Sequence, residues 1–343
     1  MTPDFTWRDA GRTVVFRRGG VGAAVELLHE QGVAEFELLS TERALSGAED
    51  LAGAASGFHQ VAPGQVPAAA AALTGALAPP PEAEEGVRVR PLVALGGGRV
   101  IDVAKAIAAI SGAGVVAIPT TMSGAEMTGS HRLPEGAEDR VRGLVRPSLV
   151  IADPELMTSA PEPELRASSM NALAHGADTL YLPLSNPVSE MTALRGAEQI
   201  AASLRREREN RDRSALALGS LLCGYAIDSA GMGLHHLVCQ TLVRLCGTPH
   251  AGTNAAILPH SVAFLAERAP EPYGRLADAL GTERAGLAAR IEELGRPQAL
   301  AEIGGDEGKL DEAIEAMLER PELHRVPRPP TRAELVELVS EAW

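Results

Sequence analysis

The sequence predicts two domains in series, an α/β domain built on a mainly parallel sheet and then an all-α domain. Three observations predict it. Short apolar runs alternate with amphipathic ones through the first half, one apolar run passes through a glycine turn directly into a helix, and strand signals stop at Pro163 while helical periodicity continues. At 343 residues, each of two domains can bury a core of its own.

Taken in order, Thr13–Phe16 reads as a strand, Val21–Gln31 as a helix, Glu35–Ser40 as a second strand and Val89–Leu95 as a third. A glycine turn, a helix from about Val100 to Ile110 and a strand at Val115–Ile118 follow. Such β-α alternation implies parallel strands covered by helices. Ala78–Glu85, with three consecutive prolines, reads as a surface loop because the βα pattern resumes after it. Gly143–Ala152 is the last apolar run, and Asp153-Pro154 and Ala160-Pro161 break the pattern. Beyond them Leu218–Ile227, Tyr273–Leu280 and Leu310–Leu318 are helical. The boundary falls near residue 158, giving domains 1–158 and 159–343.

A formal net charge of −14 leaves no surplus of Lys and Arg to displace counterions, and 3% aromatic residues leave little for base stacking, so nucleic acid is not an expected partner. The three cysteines form no CxxC pair, which indicates neither a disulfide framework nor a thiolate zinc site. No run approaches the roughly 20 apolar residues of a membrane span. Met1–Gly11 carries charges of both signs and no apolar core, so it is not a secretory signal; the expected location is the cytoplasm, away from membranes.

Leu92-Val93-Ala94-Leu95, then Gly96-Gly97-Gly98, then Arg99-Val100-Ile101-Asp102-Val103-Ala104-Lys105 forms a strand, a glycine turn and a helix start. Glycines allow close backbone approach, and a helix N-terminus offers unpaired N–H groups and the positive end of its dipole, a combination suited to a phosphate. The spacing is not GxGxxG. A second loop, Ile118-Pro119-Thr120-Thr121-Met122-Ser123-Gly124-Ala125-Glu126, leaves the next strand with Thr120, Thr121 and Ser123 available to ribose and phosphate. Two loops at adjacent strand ends line one crevice, which makes the first domain nucleotide-binding.

The second chemical signal is a set of histidines. Asn171 and His175 lie one helical turn apart on one face; His235 and His236 follow Gly231-Met232-Gly233-Leu234, and His250 follows Pro249.

GGGRVIDVAKAIA and IPTTMSGAEMT resemble the GGGSxxDxAK and PTT-SGSE elements of the iron-containing alcohol dehydrogenase superfamily. The resemblance implies the dehydroquinate synthase-like, iron-containing alcohol dehydrogenase architecture. It also places Gly96, Gly97, Gly98, Arg99, Asp102, Thr120, Thr121, Ser123 and Ser40 at the cofactor. Arg99 stands where the superfamily has serine, either as a cation beside a pyrophosphate or as a solvent-facing first-turn residue. In metal-dependent members the helical pair is Asp-x-x-x-His, and it joins two later histidines spaced as His236 and His250 are. Here Asn171 replaces the aspartate, removing the anionic ligand. Any metal would rest on His175, His236 and His250 alone, and metal is not expected.

Asn171 and the His-His doublet resemble the maleylacetate reductases. So do Gly11-Arg12-Thr13-Val14-Val15-Phe16, the stretch Gly231–His260 and Pro327-Arg328-Pro329 with the helix ending in Ala342-Trp343. That resemblance implies reduction of the carbon-carbon double bond of maleylacetate to 3-oxoadipate with NADH or NADPH. Gln240, one turn after His236, stands where relatives place a histidine near the nicotinamide. An amide orients but does not titrate near neutrality, so the proton comes from elsewhere or the substrate differs.

The expected mechanism is hydride transfer to an enone or carbonyl carbon, with imidazoles of His175, His236 and His250 stabilising the oxygen and one delivering the proton. His235, Gln240 and Asn171 complete the candidate catalytic set. A dicarboxylate substrate needs a local cation, for which Arg142 in the Arg140, Arg142, Arg146 cluster is the candidate. His59, in His59-Gln60-Val61-Ala62-Pro63, resembles a His-Val-Pro element of relatives near the pocket. Glu42 lies just past the tip of the second strand, where an acidic residue favours NAD. The apolar helices of the second half point to a homodimer. The alternatives are a metal-dependent alcohol dehydrogenase or aldehyde reductase, and a homologue that binds nucleotide with altered or lost activity.

Overall fold

The computed structural model describes residues 11–80, 89–140 and 143–343. These divide into two compact units, residues 11–159 and Ala160–Trp343.

The first unit holds a six-stranded sheet in the order β1-β6-β5-β4-β2-β3, every neighbouring pair parallel. The strands are β1 (Thr13–Phe16), β2 (Glu37–Ser40), β3 (Gly57–Gln60), β4 (Leu92–Gly96), β5 (Val115–Pro119) and β6 (Leu149–Ala152). β4, β5 and β6 are buried along their whole length, as their unbroken apolar sequences require of strands covered on both faces. The two-residue alternation then splits the core in two. Leu92 and Ala94 pack with Val103, Ala104 and Ile107 of the helix Gly98–Ser111, while Val93 and Leu95 pack with Leu27, Leu28 and Leu38 on the opposite face.

From β2 the chain steps outward to β3, and from β4 it steps the other way to β5, so the strand order reverses between β2 and β4. Ligands of open α/β sheets bind beyond the carboxyl ends of the strands at such a reversal. The glycine turn leaves β4 at that place.

Several elements differ from expectation. β3 was not anticipated, because Gly-Phe-His-Gln is a four-residue edge strand with no apolar alternation. The helix Val66–Leu77 was also missed; its alanine-rich sequence marks no apolar face. Glu35 and Phe36 precede β2 instead of opening it, and of Gly143–Ala152 only the last four residues form a strand. The proline loop lies mostly within 81–88, outside the described residues.

The second unit is helical throughout. Its helix Glu162–Thr179 carries Asn171 and His175, and Glu162 anchors the first turn: its carboxylate receives both terminal nitrogens of buried Arg211 at 2.7 Å and Nε of Arg166 at 2.6 Å. Helices Leu234–Leu245 and His250–Arg268 carry the other histidines. Among the described residues no single helix is long and apolar enough to cross a membrane.

Candidate functional site

In the first unit the helix Gly98–Ser111 begins at Gly97, whose extended backbone opens the helix with no side-chain cap. Its first N–H groups are therefore available to an anion. The loop after β5 packs directly over this turn. Thr120 N–H donates to Gly96 O at 3.0 Å, and a Cβ on Gly98 would sit 2.8 Å from Ser123 Cβ and 2.9 Å from its Oγ. Only glycine fits at Gly98, and an uncapped N-terminus beside the hydroxyl-bearing loop of Thr120, Thr121 and Ser123 fits the pyrophosphate of a dinucleotide.

Behind the loop, buried Lys105 directs Nζ to Asp102 Oδ1 at 2.8 Å and to the carbonyls of Ala125 at 3.0 Å and Ser130 at 2.6 Å, locking the helix to the second loop. Glu126 is fully buried beside it, and its Oε1 has no hydrogen-bond partner among the described residues. Burial pushes its carboxyl up from 4.5 to about 7. The folded state then binds the Glu126 proton more tightly than the unfolded chain does. The stability this contributes is present below about pH 4.5 and is lost as pH rises to about 7, a change of ~3 kcal/mol. Denaturant melts at pH 5 and pH 8 should show Glu126→Gln flattening that difference relative to the native chain; an identical pH dependence in both would contradict the buried acid.

In the second unit His175 and His236 stack, their ring centroids 4.7 Å apart and their planes within 7°. His175 Nδ1 and His236 Nε2 are buried without hydrogen-bond partners among the described residues. Burial pushes both imidazoles well below their ordinary range. The neighbouring rings add to it, His236 and then His250 acting on His175, and His250 acting on His236. The pair is neutral near pH 7. His250 opens its helix as an exposed residue, with Asn254 Nδ2 3.4 Å from its Nε2. Asn171 is buried one turn before His175.

Asp178, a further turn along from His175, is fully buried. Its Oδ2 receives His236 Nδ1 at 2.7 Å and the backbone N–H groups of Gly233 at 3.1 Å and His236 at 3.2 Å; Oδ1 receives His235 N–H and Tyr181 O–H, both at 3.3 Å. Burial raises this carboxyl, and His235 together with the backbone donors opposes the rise. Gly233 is required for the approach, since a Cβ there would lie 2.1 Å from Tyr181 Oη and 2.8 Å from Asp178 Oδ1.

Imidazoles on one cation aim their in-plane lone pairs at a single point about 2.0–2.1 Å from each nitrogen. Two stacked, near-parallel rings direct theirs along separate planes. Asn171 brings no charge, and the oxygens of Asp178 are occupied by N–H and O–H donors. Among the described residues, no three His, Cys, Asp or Glu side chains are placed to hold one metal ion.

Not all candidates gather at these two places. His235 is structural, a correction: Nδ1 pairs with Ser261 Oγ and Nε2 with Asn254 Oδ1, both at 2.9 Å, so neither nitrogen is left for a substrate. Ser40 is corrected likewise; it is fully buried and donates its hydroxyl to Leu95 O at 2.8 Å, joining β2 to β4 rather than facing a ribose. His59 Nε2 pairs with Glu37 at 3.0 Å, toward the amino end of β2 and away from the loop ends of the sheet. Gln240 donates to Met232 Sδ at 2.9 Å and accepts from Arg320 at 3.3 Å. Arg99 is exposed on the first turn of its helix, and Arg142 lies outside the described residues. Asp178 and Arg320 were not read from the sequence. A carboxylate one turn after His175 on the same helix face was the available signal for Asp178.

An uncapped phosphate loop at the strand-order reversal and a buried imidazole cluster on a helical unit define a nicotinamide-dependent oxidoreductase. Residues 15–161 match the family model for iron-containing alcohol dehydrogenases, and residues 166–343 match that of the C-terminal part of the Fe-containing alcohol dehydrogenase family. The chain belongs to the iron-containing alcohol dehydrogenase family and is an NAD(P)H-dependent oxidoreductase. It is similar to the maleylacetate reductases: 37% identical to maleylacetate reductase 1 of Rhodococcus opacus over 74% of this chain and 72% of that one. Against the maleylacetate reductase of Rhizobium sp. strain MTP-10005 the identity is 30%, covering 99% and 97%. The crystal structure of maleylacetate reductase from Agrobacterium tumefaciens superposes with a TM-score of 0.84 at 30% identity, over 100% of this chain and 99% of that one.

Proposed function

We propose that this enzyme is a metal-independent reductase of the maleylacetate reductase type, taking electrons from NADH or NADPH to reduce the double bond of a small dianionic enone. The observation that carries the reading is the stacked, neutral His175–His236 pair with two unsatisfied buried nitrogens, beside Asn171 instead of an acidic ligand. A buried polar atom without a partner is completed by a ligand, a water or an ion, and we assign these two to the bound substrate.

Bound reduced nicotinamide supplies hydride to the carbon β to the ketone. As that bond forms, the double-bond electrons move to the ketone oxygen as an enolate. The imidazole cluster holds this oxygen, and a proton then reaches the carbon next to the ketone, giving the saturated oxo acid. The phosphate loop at Gly96–Gly98, with Thr120, Thr121 and Ser123, holds the dinucleotide. In a chain of net charge −14 the carboxylates need a local cation, and we assign Arg142 to that role. The reading includes a cytoplasmic homodimer, whose mass sedimentation measures.

Deuterium supplied at C4 of the reduced nicotinamide tests the bond that is reduced. It should appear on the carbon β to the ketone of 3-oxoadipate made from maleylacetate; deuterium on the carbonyl carbon of a hydroxy acid would assign carbonyl reduction instead. His250→Ala should lower kcat at least about tenfold, and full turnover would remove His250 from the mechanism.

A further inference from the structure

The oxygens of Asp178 are surrounded by groups that can only donate, save the Tyr181 hydroxyl, which itself accepts Leu234 N–H at 2.6 Å and so turns its proton to the carboxylate. Asp178 is therefore an acceptor on every side. The remaining contact, 2.7 Å to His236 Nδ1, is a hydrogen bond only if Nδ1 carries the proton. In a neutral ring the other nitrogen is then bare, and Nε2 is the atom buried with no partner among the described residues.

We propose that Asp178 is a positioning residue for the reaction, fixing His236 in the Nδ1–H tautomer so that Nε2 meets the substrate as a hydrogen-bond acceptor. The same carboxylate takes the N–H groups of Gly233, His235 and His236 at the start of the helix Leu234–Leu245, so one side chain sets both the helix position and the ring orientation. The consequence is chemical. A bare Nε2 recognises a hydroxyl, a protonated acid or a water, and gives no hydrogen bond to a ketone oxygen. In the ground state the ketone of an enone is therefore held by another donor of the cluster, and His236 pairs with an O–H group.

This inference rests on the imidazole cluster being the place where the substrate's oxygen is held, and it is tested separately from that reading. Nitrogen-15 NMR of histidine-labelled protein, with the His236 resonances identified by their loss in His236→Gln, should show a protonated Nδ1 and an unprotonated Nε2. A protonated Nε2 in the native enzyme overturns the proposal whatever the substrate proves to be. Asp178→Asn should move the proton to Nε2 and lower kcat by about 10²-fold or more, leaving the dissociation constant for NADH within about twofold. Asp178→Glu, which keeps the acceptor, should retain the native tautomer. An Asp178→Asn protein with unchanged tautomer and kcat would refute the assignment, and the native spectrum decides the question if that variant does not fold.

Discussion

Replacing His236 by glutamine is expected to lower kcat by about 10²–10³-fold, with the dissociation constant for NADH little changed. His236 is one of two stacked rings with unsatisfied buried nitrogens; with Nδ1 donating to Asp178, we assign its Nε2 to accepting from the O–H group through which the proton is delivered, and a group that acts in that transfer registers in kcat more than in ground-state binding. Glutamine keeps much of the volume and can still donate to Asp178, so the fold is spared the cavity that alanine would leave in a site 2% exposed. Steady-state kinetics with stopped-flow hydride transfer checks it; a kcat within threefold of native would remove His236 from the chemistry.

The second large effect is at the phosphate loop. Gly98→Val should raise the dissociation constant for the dinucleotide at least about tenfold, because its Cβ meets Ser123 within 3 Å and pushes apart the two loops that hold the pyrophosphate. Gly97→Ala should cost less, as its Cβ meets only the Thr121 side chain, at 3.2 Å. Gly75→Ala is the control, with nothing within 4 Å inside a helix; it should leave binding unchanged and stabilise the fold by about 0.5–1 kcal/mol. Equal affinities for Gly98→Val and Gly75→Ala, by fluorescence titration with NADH, would place the cofactor elsewhere.

These residues also show what was legible before the structure. The buried central strands announced themselves because both faces are covered and the sequence is apolar throughout, whereas β3 at the sheet edge has neither constraint. The glycine loop and the histidine set were legible because their chemistry depends on residue type and spacing. Partner choice was not. His235 and His236 are adjacent and identical, yet one is consumed by Ser261 and Asn254 and the other pairs with Asp178. Only the helix crossing that brings Ser261 and Asn254 to one ring, and Asp178 to the next, separates their roles. Ser40 is the same case, a strand-tip hydroxyl whose acceptor, Leu95 O, comes from a strand that pairing brings alongside it.

The central claim is hydride transfer supported by imidazoles in place of a metal. Its most direct test is turnover of maleylacetate with NADH and with NADPH, with and without a strong chelator, on protein whose Fe and Zn content has been measured. The predicted result is dinucleotide oxidation that the chelator does not change, in protein with metal far below one ion per chain. Activity that the chelator abolishes and added Fe or Zn restores, at one ion per chain, would contradict it and assign His175, His236 and His250 to a metal.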